Sequence, residues 1–486
     1  MLLGDAALPA PYEENTCCAS CVLHFLAALA ILINGRRLGT IKIMPLAVSF
    51  HTMIATILLA LSFSGDAATI RPATDASTFA YEGRWANAAN SAKSADWPCA
   101  SAHFRVNVTS AASCSLEAIW SGVRTRVVIK SFIAGSSAAA NEHIFDGPGF
   151  TILKPRVEKS VVTFSKEGVY DVMVRKLTDG APYAMGIGSE FLSASVLTFM
   201  GASIASQDAC SFVAPPAIKK RAIDFYGASD TAGYCVDGDT KMGPIAYGVE
   251  GWKYSNCDYA AAGDMGRGMN AALSVQGYPG VGLTQNANSK EQWIMGKLTM
   301  AGLYNRTLQT LKSPLGDSPS NKYDLADEHK QAGASRAVLI SLGGNDYNHQ
   351  KGHVPSNVTF TAAYVNFLSA LFEAYGYTGK SSDPGLAPPV LISVCGQGSP
   401  QEAKEDPDNN RCRPCPHVEA AVKMFKSTVE ESTGGKLRAE YIFVPCDGTV
   451  VTGSNDIGCN GHKNRAGQGE VAAFLEPKVN AIMGWS

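Results

Sequence analysis

The feature that most constrains the fold is an alternation of two periodicities after residue 220. Short apolar runs rich in β-forming residues recur there, at 222–227, 273–278, 336–343, 389–396 and 439–445. Between them lie helical patterns, with apolar faces over 360–375 and 418–429 and a closing helix over about 466–482. Strand and helix patterns that alternate in this way predict βαβ units, so we expect a parallel sheet covered by helices.

The preceding region, residues 78–214, shows the two-residue alternation that is typical of β-strands. Apolar and polar residues alternate there in short segments, at 103–108, 125–130, 160–164, 170–175 and 193–199. Glycine, proline and aspartate separate these segments at turn-like intervals. We therefore predict a β-sandwich or jelly roll over 78–214, and a Pro- and Lys-rich linker separates it from a second domain over 219–486.

Residues 1–66 form a predicted leader. An apolar stretch over 43–63 follows a basic patch, and Gly65 and Ala67 suit the −3 and −1 positions of a signal cleavage site. Met44 is an alternative start. The alternative to a cleaved signal is a membrane anchor, because the stretch is long enough to span a bilayer. Either route predicts export, so we expect a secreted protein or an anchored one that faces the lumen or the exterior.

The composition fits an exported globular protein. Hydrophobic residues make up 46% and charged residues 17%, and the net charge is −2 without a basic block, which argues against a nucleic-acid partner.

Three sequons, at Asn107, Asn305 and Asn357, predict N-glycosylation. Of the 13 cysteines, ten follow the leader. Cys412 and Cys415 have zinc or thioredoxin spacing, but no second pair at metal spacing accompanies them, so disulfides are favoured.

Polar motifs follow four of the predicted strands, at the sheet edge where α/β proteins bind ligands. Ser229 follows the first strand, Gly280 the second, Asn345 the third and His462 the last. A serine nucleophile needs a base for its proton and donors for the oxyanion. We predict Ser229 and His462 as the catalytic pair, and the Ser229 and Gly280 N–H groups with the Asn345 amide as the oxyanion hole. Taken alone, a serine after a strand is more typical of a helix N-cap.

Five motifs of the second domain carry a family resemblance. They are Gly227-Ala-Ser-Asp-Thr-Ala-Gly, Asn256-Cys-Asp-Tyr-Ala, Tyr278-Pro-Gly-Val-Gly-Leu, Ser341-Leu-Gly-Gly-Asn-Asp-Tyr and Gly458-Cys-Asn-Gly-His. Their order resembles the SGNH (GDSL-type) hydrolase superfamily, named for its Ser, Gly, Asn and His blocks. With a β domain in front, the chain is similar to carbohydrate esterase family 2 over about residues 78–486. The resemblance implies a jelly roll followed by an α/β/α domain with a flavodoxin-like parallel sheet.

The sequence departs from the family pattern around the reaction centre. Ala228 stands where the first block has Asp, and Gly461 stands where members often carry a sugar-contacting aromatic residue. Asn460 and Cys459 occupy the positions where the last block places the Asp that orients the histidine. Asn460 can still accept a hydrogen bond from the histidine, Asp456 is another candidate orienting group, and some members use a backbone carbonyl instead.

The resemblance implies a secreted serine esterase that removes O-acetyl groups from carbohydrate. Such a mechanism implies no metal or organic cofactor. The alternatives are a catalytically degenerate carbohydrate-binding protein, motivated by Ala228 and Asn460, and a sugar acyltransferase that uses the same site. The expected partner is an acetylated carbohydrate, and the membrane is contacted only through the leader if it is uncleaved.

Two disulfides are predicted near the site. A bridge between Cys446 and Cys459 would close a loop of about 14 residues, stabilise the protein by about 3 kcal/mol and hold the histidine near the serine. By the same reasoning, Cys235 and Cys257 would tie down the loop after the nucleophile. The alternatives are buried free thiols or other pairings, for example with the cysteines of the Cys-x-x-Cys motif.

Overall fold

The computed structural model describes residues 68–147, 157–179, 195–239, 251–287, 298–309, 321–348, 354–379, 385–397 and 412–485. The predicted leader, residues 1–66, lies outside these ranges, so the signal peptide, the membrane anchor and the alternative start at Met44 stay predictions. None of the helices within the described ranges has the length and hydropathy needed to cross a bilayer.

Two antiparallel sheets of six strands each occupy the first part of the described chain. In chain order the strands are β1 (Thr69–Pro72), β2 (Ala80–Glu82), β3 (Ala86–Asn87), β4 (Lys93–Ala95), β5 (Ser101–Val108), β6 (Leu116–Ser121), β7 (Arg126–Ile133), β8 (Ala139–Asp146), β9 (Val157–Val162), β10 (Gly168–Lys176), β11 (Leu197–Ile204) and β12 (Cys210–Val213). One sheet has the order β3-β4-β11-β6-β9 with β1 beside β11. The other has the order β12-β5-β10-β7-β8 with β2 beside β5.

The two sheets share one apolar core because their strands alternate inward and outward residues. In β5 every second residue from Ala102 onward is buried. Phe104 of β5, Trp120 of β6 and Tyr170 of β10 belong to the same buried cluster, although β6 lies in the other sheet. The arrangement is a jelly-roll-like sandwich, as the alternation in this region predicts.

A parallel sheet of five strands follows. The strands are β13 (Arg221–Gly227), β14 (Ala272–Gly277), β15 (Ser335–Ser341), β16 (Val390–Gly396) and β17 (Ala439–Val444). Their order is β14-β13-β15-β16-β17, which is the order of flavodoxin-like sheets. Each predicted strand begins and ends within two residues of the observed one, because each lies in a mainly apolar segment of the sequence.

Helices cover both faces of the parallel sheet. They are α1 (Ser229–Ala232), α2 (Ala261–Gly268), α3 (Met300–Leu303), α4 (Leu325–Ala332), α5 (Gly344–Tyr347), α6 (Asn357–Ala374), α7 (Cys415–Phe425) and α8 (Arg465–Met483). Tyr364 and Leu371 of α6 and Val418 of α7 are buried in the core on one face. Met265 of α2 and Leu475 of α8 are buried in the core on the other face. The predicted α/β/α layering is therefore present.

The sandwich and the parallel-sheet half belong to one compact unit, Asp66–Ser486. A disulfide between Cys99 and Cys257 joins the two halves covalently. Arg84 of the sandwich half is 1% exposed and donates a 2.8 Å hydrogen bond to the Tyr226 hydroxyl in the parallel sheet. A disulfide and a buried hydrogen bond therefore hold the two halves together. The exact domain boundary stays a prediction.

A buried ion cluster lies at the contact between the two halves. Asp258 pairs with Lys130 at 2.6 Å and with Arg175 at 2.5 Å, both from the sandwich, and with Arg267 of α2 at 3.0 Å. Burial opposes ionisation, but the attraction of the three cations outweighs it and holds the pKa of Asp258 well below its usual range.

Candidate active site

The predicted nucleophile lies on a tight turn from β13 into α1. Ser229 is the first residue of α1, and the N-cap position belongs to Ala228. Gly227 allows the turn, because a Cβ at that position would collide with the Thr231 hydroxyl. Ser229 is therefore not used as the helix N-cap, and its hydroxyl is available for another contact.

The structure brings the two predicted catalytic residues together. His462 follows the 3₁₀ turn Cys459–Gly461 and precedes α8. Its Nε2 atom lies 2.8 Å from the Oγ atom of Ser229. This distance suits proton transfer from a serine hydroxyl to an imidazole.

A backbone carbonyl orients the histidine ring. The Nδ1 atom of His462 lies 2.9 Å from the carbonyl oxygen of Asn460. Asn460 has a φ of 53° and a ψ of 33°, a left-handed conformation that asparagine tolerates better than most residues. With Nδ1–H donating to this carbonyl, the Nε2 atom faces Ser229 as an acceptor.

The two side chains predicted as candidate orienting groups make other contacts. The amide nitrogen of Asn460 donates to the Tyr234 hydroxyl at 3.0 Å. The Asp456 carboxylate accepts from the N–H and the hydroxyl of Thr452, at 2.7 and 2.6 Å, and so holds its own loop. The left-handed backbone at Asn460 presents its carbonyl to the ring, so the structure has the backbone arrangement that the family resemblance offered as an alternative to the two side chains.

Tyr234 is a residue of this site that the sequence analysis missed. Its side chain is fully buried, and its ring meets the His462 ring edge-to-face, with centroids 4.9 Å apart and planes at 80°. Burial raises the pKa of Tyr234 to about 12, so the hydroxyl stays protonated. The available signal was a large aromatic residue directly after the first motif, which ends at Gly233.

Of the predicted oxyanion donors, Ser229 begins α1, Gly280 lies on the loop after β14, and Asn345 lies in α5, which follows β15. Gly280 has a φ of 80°, and a side chain at that position would meet open space. The amide nitrogen of Asn345, in α5, donates to the carbonyl of Val281 at 2.8 Å. Because an amide nitrogen carries two N–H groups, this bond fixes the Asn345 side chain without using both of its donors.

Asp346 joins these two loops, and the sequence analysis gave it no role. Its buried carboxylate accepts hydrogen bonds from the N–H groups of Leu283 at 2.9 Å, Thr284 at 2.6 Å and Gln285 at 3.2 Å. The loop that contains the Gly280 N–H is thereby held beside Asn345.

Comparisons with solved structures show which known proteins have a similar fold. No family model and no curated protein matches the chain. An acetyl xylan esterase (Est2A) from the rumen bacterium Butyrivibrio proteoclasticus matches with a TM-score of 0.61 at 13% identity, covering 86% of this chain and 100% of its own. A family two carbohydrate esterase from Clostridium thermocellum, in complex with cellohexaose, matches with a TM-score of 0.57 at 18% identity, covering 84% and 100%. A carbohydrate esterase family 2 enzyme plus carbohydrate binding domain from Corynascus thermopiles (Myceliophthora fergusii) matches with a TM-score of 0.58 at 19% identity, covering 84% and 100%.

This chain has the fold of the family 2 carbohydrate esterases. The resemblance predicted from the order of the motifs is thereby confirmed at the level of the fold.

In this esterase fold, the disulfide beside the site is not the predicted one. The structure pairs the ten cysteines as Cys99–Cys257, Cys114–Cys210, Cys235–Cys459, Cys395–Cys415 and Cys412–Cys446. Both predicted pairings, Cys446–Cys459 and Cys235–Cys257, are therefore wrong. They were chosen by proximity along the chain, whereas the loops after β13 and β17 meet at one sheet edge, so Cys235 and Cys459 join them directly.

The Cys-x-x-Cys motif does not form a metal site. Cys412 and Cys415 belong to two different disulfides. Within the described ranges, no cluster of three or more His, Cys, Asp or Glu side chains could hold a metal ion. Both cysteines of the motif are therefore in disulfides, as predicted from the sequence.

An ion pair runs beside the contact between the nucleophile and the base. Lys463, which follows His462, is fully buried, and its Nζ atom lies 2.9 Å from the Asp230 carboxylate. Asp230 follows Ser229 directly. Asp230 and Lys463, which follow Ser229 and His462 in the chain, thus form a second contact between the same two segments.

The three sequons differ in exposure. Asn357 is exposed at the start of α6, whereas Asn107 in β5 and Asn305 are half-buried. N-glycosylation stays a prediction, and Asn357 is the most accessible of the three positions.

Proposed function

We propose that this protein is a serine esterase that removes O-acetyl groups from carbohydrate and acts outside the cytosol. The 2.8 Å contact between Ser229 Oγ and His462 Nε2 carries the proposal. The fold of carbohydrate esterases, one of which was solved with cellohexaose, supports the substrate class. Five disulfides support an oxidising compartment, and with it the predicted secretion.

In the acylation step, the Ser229 oxygen attacks the acetyl carbonyl while His462 Nε2 takes the hydroxyl proton. Negative charge then develops on the carbonyl oxygen. The N–H groups of Ser229 and Gly280 and the amide of Asn345 would stabilise it, and each such donor contributes about 3–4 kcal/mol. When the tetrahedral intermediate collapses, His462 returns the proton to the sugar oxygen, which leaves, and Ser229 carries the acetyl group.

In the deacylation step, water takes the place of the sugar. His462 accepts a proton from the water and the hydroxide adds to the acetyl carbonyl. His462 then returns the proton to the Ser229 oxygen as the intermediate collapses, and acetic acid leaves and ionises in solvent. A sugar hydroxyl in place of water would make the same residues an acetyltransferase. Measuring free acetate against acetylated acceptor sugar separates these two outcomes.

Substitution of the catalytic pair tests the proposal. In recombinant residues 67–486, we expect Ser229→Ala to abolish acetate release from an aryl acetate, and His462→Ala to lower it by about 10²–10⁴-fold. Ser427→Ala, at an exposed serine beyond α7, should behave as the unsubstituted protein. Retained activity of Ser229→Ala would remove Ser229 from the mechanism.

A panel of acetylated glucans, mannans and xylans tests the substrate class and the non-catalytic alternative together. An esterase releases acetate from at least one of them, and the release is lost in Ser229→Ala. A protein that only binds carbohydrate would bind one of these polymers without releasing acetate. That outcome would favour the degenerate site suggested by Ala228 and Asn460.

A further inference from the structure

We propose that Tyr234 is a positioning residue: by holding Asn460 it fixes the carbonyl that orients His462, at a site where Cys459 and Asn460 stand in place of the family's orienting Asp. The inference rests on the proposed esterase function of Ser229 and His462. A neutral carbonyl forms a weaker hydrogen bond with an imidazole than a carboxylate does. Its ability to orient the ring therefore depends on how firmly the carbonyl itself is held.

The contact between Tyr234 and Asn460 provides that hold. The Asn460 amide nitrogen donates to the Tyr234 hydroxyl at 3.0 Å, and the carbonyl of the same residue faces His462 Nδ1 at 2.9 Å. Asn460 is left-handed, with a φ of 53°, a conformation that costs free energy in residues with a Cβ and persists only where surrounding contacts hold it. The side-chain bond to Tyr234 is one such contact.

Tyr234 is itself fixed on several sides. Its N–H donates to the Ser229 carbonyl at 3.0 Å, which joins its backbone to that of the predicted nucleophile. The next residue, Cys235, is bonded to Cys459, which adjoins Asn460. The hydroxyl lies so close to Gly251 that a Cβ on that glycine would be 2.8 Å from it. Tyr234 thus links the nucleophile and the turn that carries the base.

Tyr234→Phe tests this role because it removes only the hydroxyl. Loss of one such hydrogen bond should lower kcat for an aryl acetate about three- to tenfold and leave KM unchanged. The rate at which a fluorophosphonate labels Ser229 should fall by the same factor. The matched control is Tyr170→Phe, since that buried tyrosine donates one 3.0 Å hydrogen bond to the Lys166 carbonyl in the sandwich. It should leave kcat and the labelling rate unchanged.

Substitution of Asn460 tests the same contact from its other side. Asn460→Gly accepts the left-handed backbone and removes the side chain, so it should show the loss seen in Tyr234→Phe. The double variant should show no further loss, because the two changes remove one interaction. Asn460→Asp can accept a hydrogen bond from the protonated Tyr234 hydroxyl, so it should keep a higher rate than Asn460→Gly, and lose this advantage when combined with Tyr234→Phe.

Three results would overturn the inference. The first is an unchanged kcat and labelling rate in Tyr234→Phe. The second is a kcat in the double variant that falls by the product of the two single losses. The third applies if Tyr234→Phe fails to fold, and is an unchanged kcat and labelling rate in Asn460→Gly. Failure of the proposed function looks different, because the unsubstituted protein would then leave Ser229 unlabelled.

Discussion

At the scale of single residues, the Nδ1 atom of His462 faces the backbone carbonyl of Asn460 at 2.9 Å, and Asn460 and Cys459 stand where the family pattern places an orienting Asp. A neutral carbonyl stabilises an imidazolium less than a carboxylate does, so in the proposed mechanism more of the transition-state stabilisation would come from the oxyanion donors. Among these, the Asn345 amide is held in place by its 2.8 Å bond to the Val281 carbonyl.

We therefore expect Asn345→Ala to lower kcat for an aryl acetate by about 10²–10³-fold, with KM nearly unchanged, because the donor acts on charge that develops only in the transition state. Steady-state kinetics measure both constants. Asn348→Ala, at an exposed residue just after α5, serves as the control and should be neutral. A raised KM with an unchanged kcat would assign Asn345 to ground-state binding instead.

The proximity of Ser229 and His462 could be predicted because both residues follow parallel strands, whose carboxyl ends lie at one sheet edge. The orienting group could not be predicted with the same precision. The left-handed backbone at Asn460 and the buried position of Tyr234 depend on tertiary contacts, and no spacing rule encodes them. The role of Asp346 was missed for the same reason.

At the scale of elements, the loop after α1 and the turn before α8 are joined by the Cys235–Cys459 disulfide. This bridge connects the segment that contains Ser229 to the segment that contains His462. We therefore expect it to affect both the stability of the fold and the placement of His462.

The double variant Cys235→Ala/Cys459→Ala should lose about 2–4 kcal/mol of unfolding free energy and label Ser229 more slowly with a fluorophosphonate. Cys114→Ala/Cys210→Ala, which removes a bridge within the sandwich, should lose comparable stability and keep its labelling rate. Urea unfolding and labelling kinetics of the folded proteins measure the two effects. Equal labelling rates in both double variants would show that the site does not depend on its own bridge.

The parallel strands could be predicted to within two residues, since each lies in a mainly apolar segment, although polar residues such as Asp224 and Gln276 interrupt some of them. Strands of the sandwich were harder to predict. In β8 (Ala139–Asp146), for example, no residue is fully buried, so its sequence lacks the apolar alternation that marks β5. Disulfide partners were mispredicted because pairing depends on which loops meet in space, and neighbours along the chain do not reveal it.

At the scale of the whole molecule, the sandwich is bound to the parallel-sheet half through charge as well as through a disulfide. The carboxylate of Asp258 is 1% exposed and lies among Lys130, Arg175 and Arg267. Removing one partner from such a cluster leaves buried charge without compensation.

The stability of the protein should accordingly depend on pH through Asp258. Its folded pKa lies below the unfolded value of about 3.9, so its contribution is complete above about pH 4 and is lost as the pH falls through the folded pKa. We expect Asp258→Asn to lower the unfolding free energy by about 3 kcal/mol at pH 7. The difference from the unsubstituted protein should shrink below pH 4.

Urea unfolding between pH 2 and pH 7 measures this difference. Asp171→Asn is the control, because Asp171 pairs with Arg105 at 2.6 Å in a more exposed position and should cost less than about 1 kcal/mol. A difference between Asp258→Asn and the unsubstituted protein that stays constant down to pH 2 would contradict the assignment.

The most direct test of the site is the reaction of residues 67–486 with a fluorophosphonate, followed by peptide mapping of the adduct. A serine activated by His462 should give one adduct, on Ser229. Its formation should slow in acid as the imidazole is protonated, and it should slow about a hundredfold or more in His462→Ala. Absence of an adduct on Ser229, or labelling at an equal rate in His462→Ala, would contradict a catalytic Ser229–His462 pair.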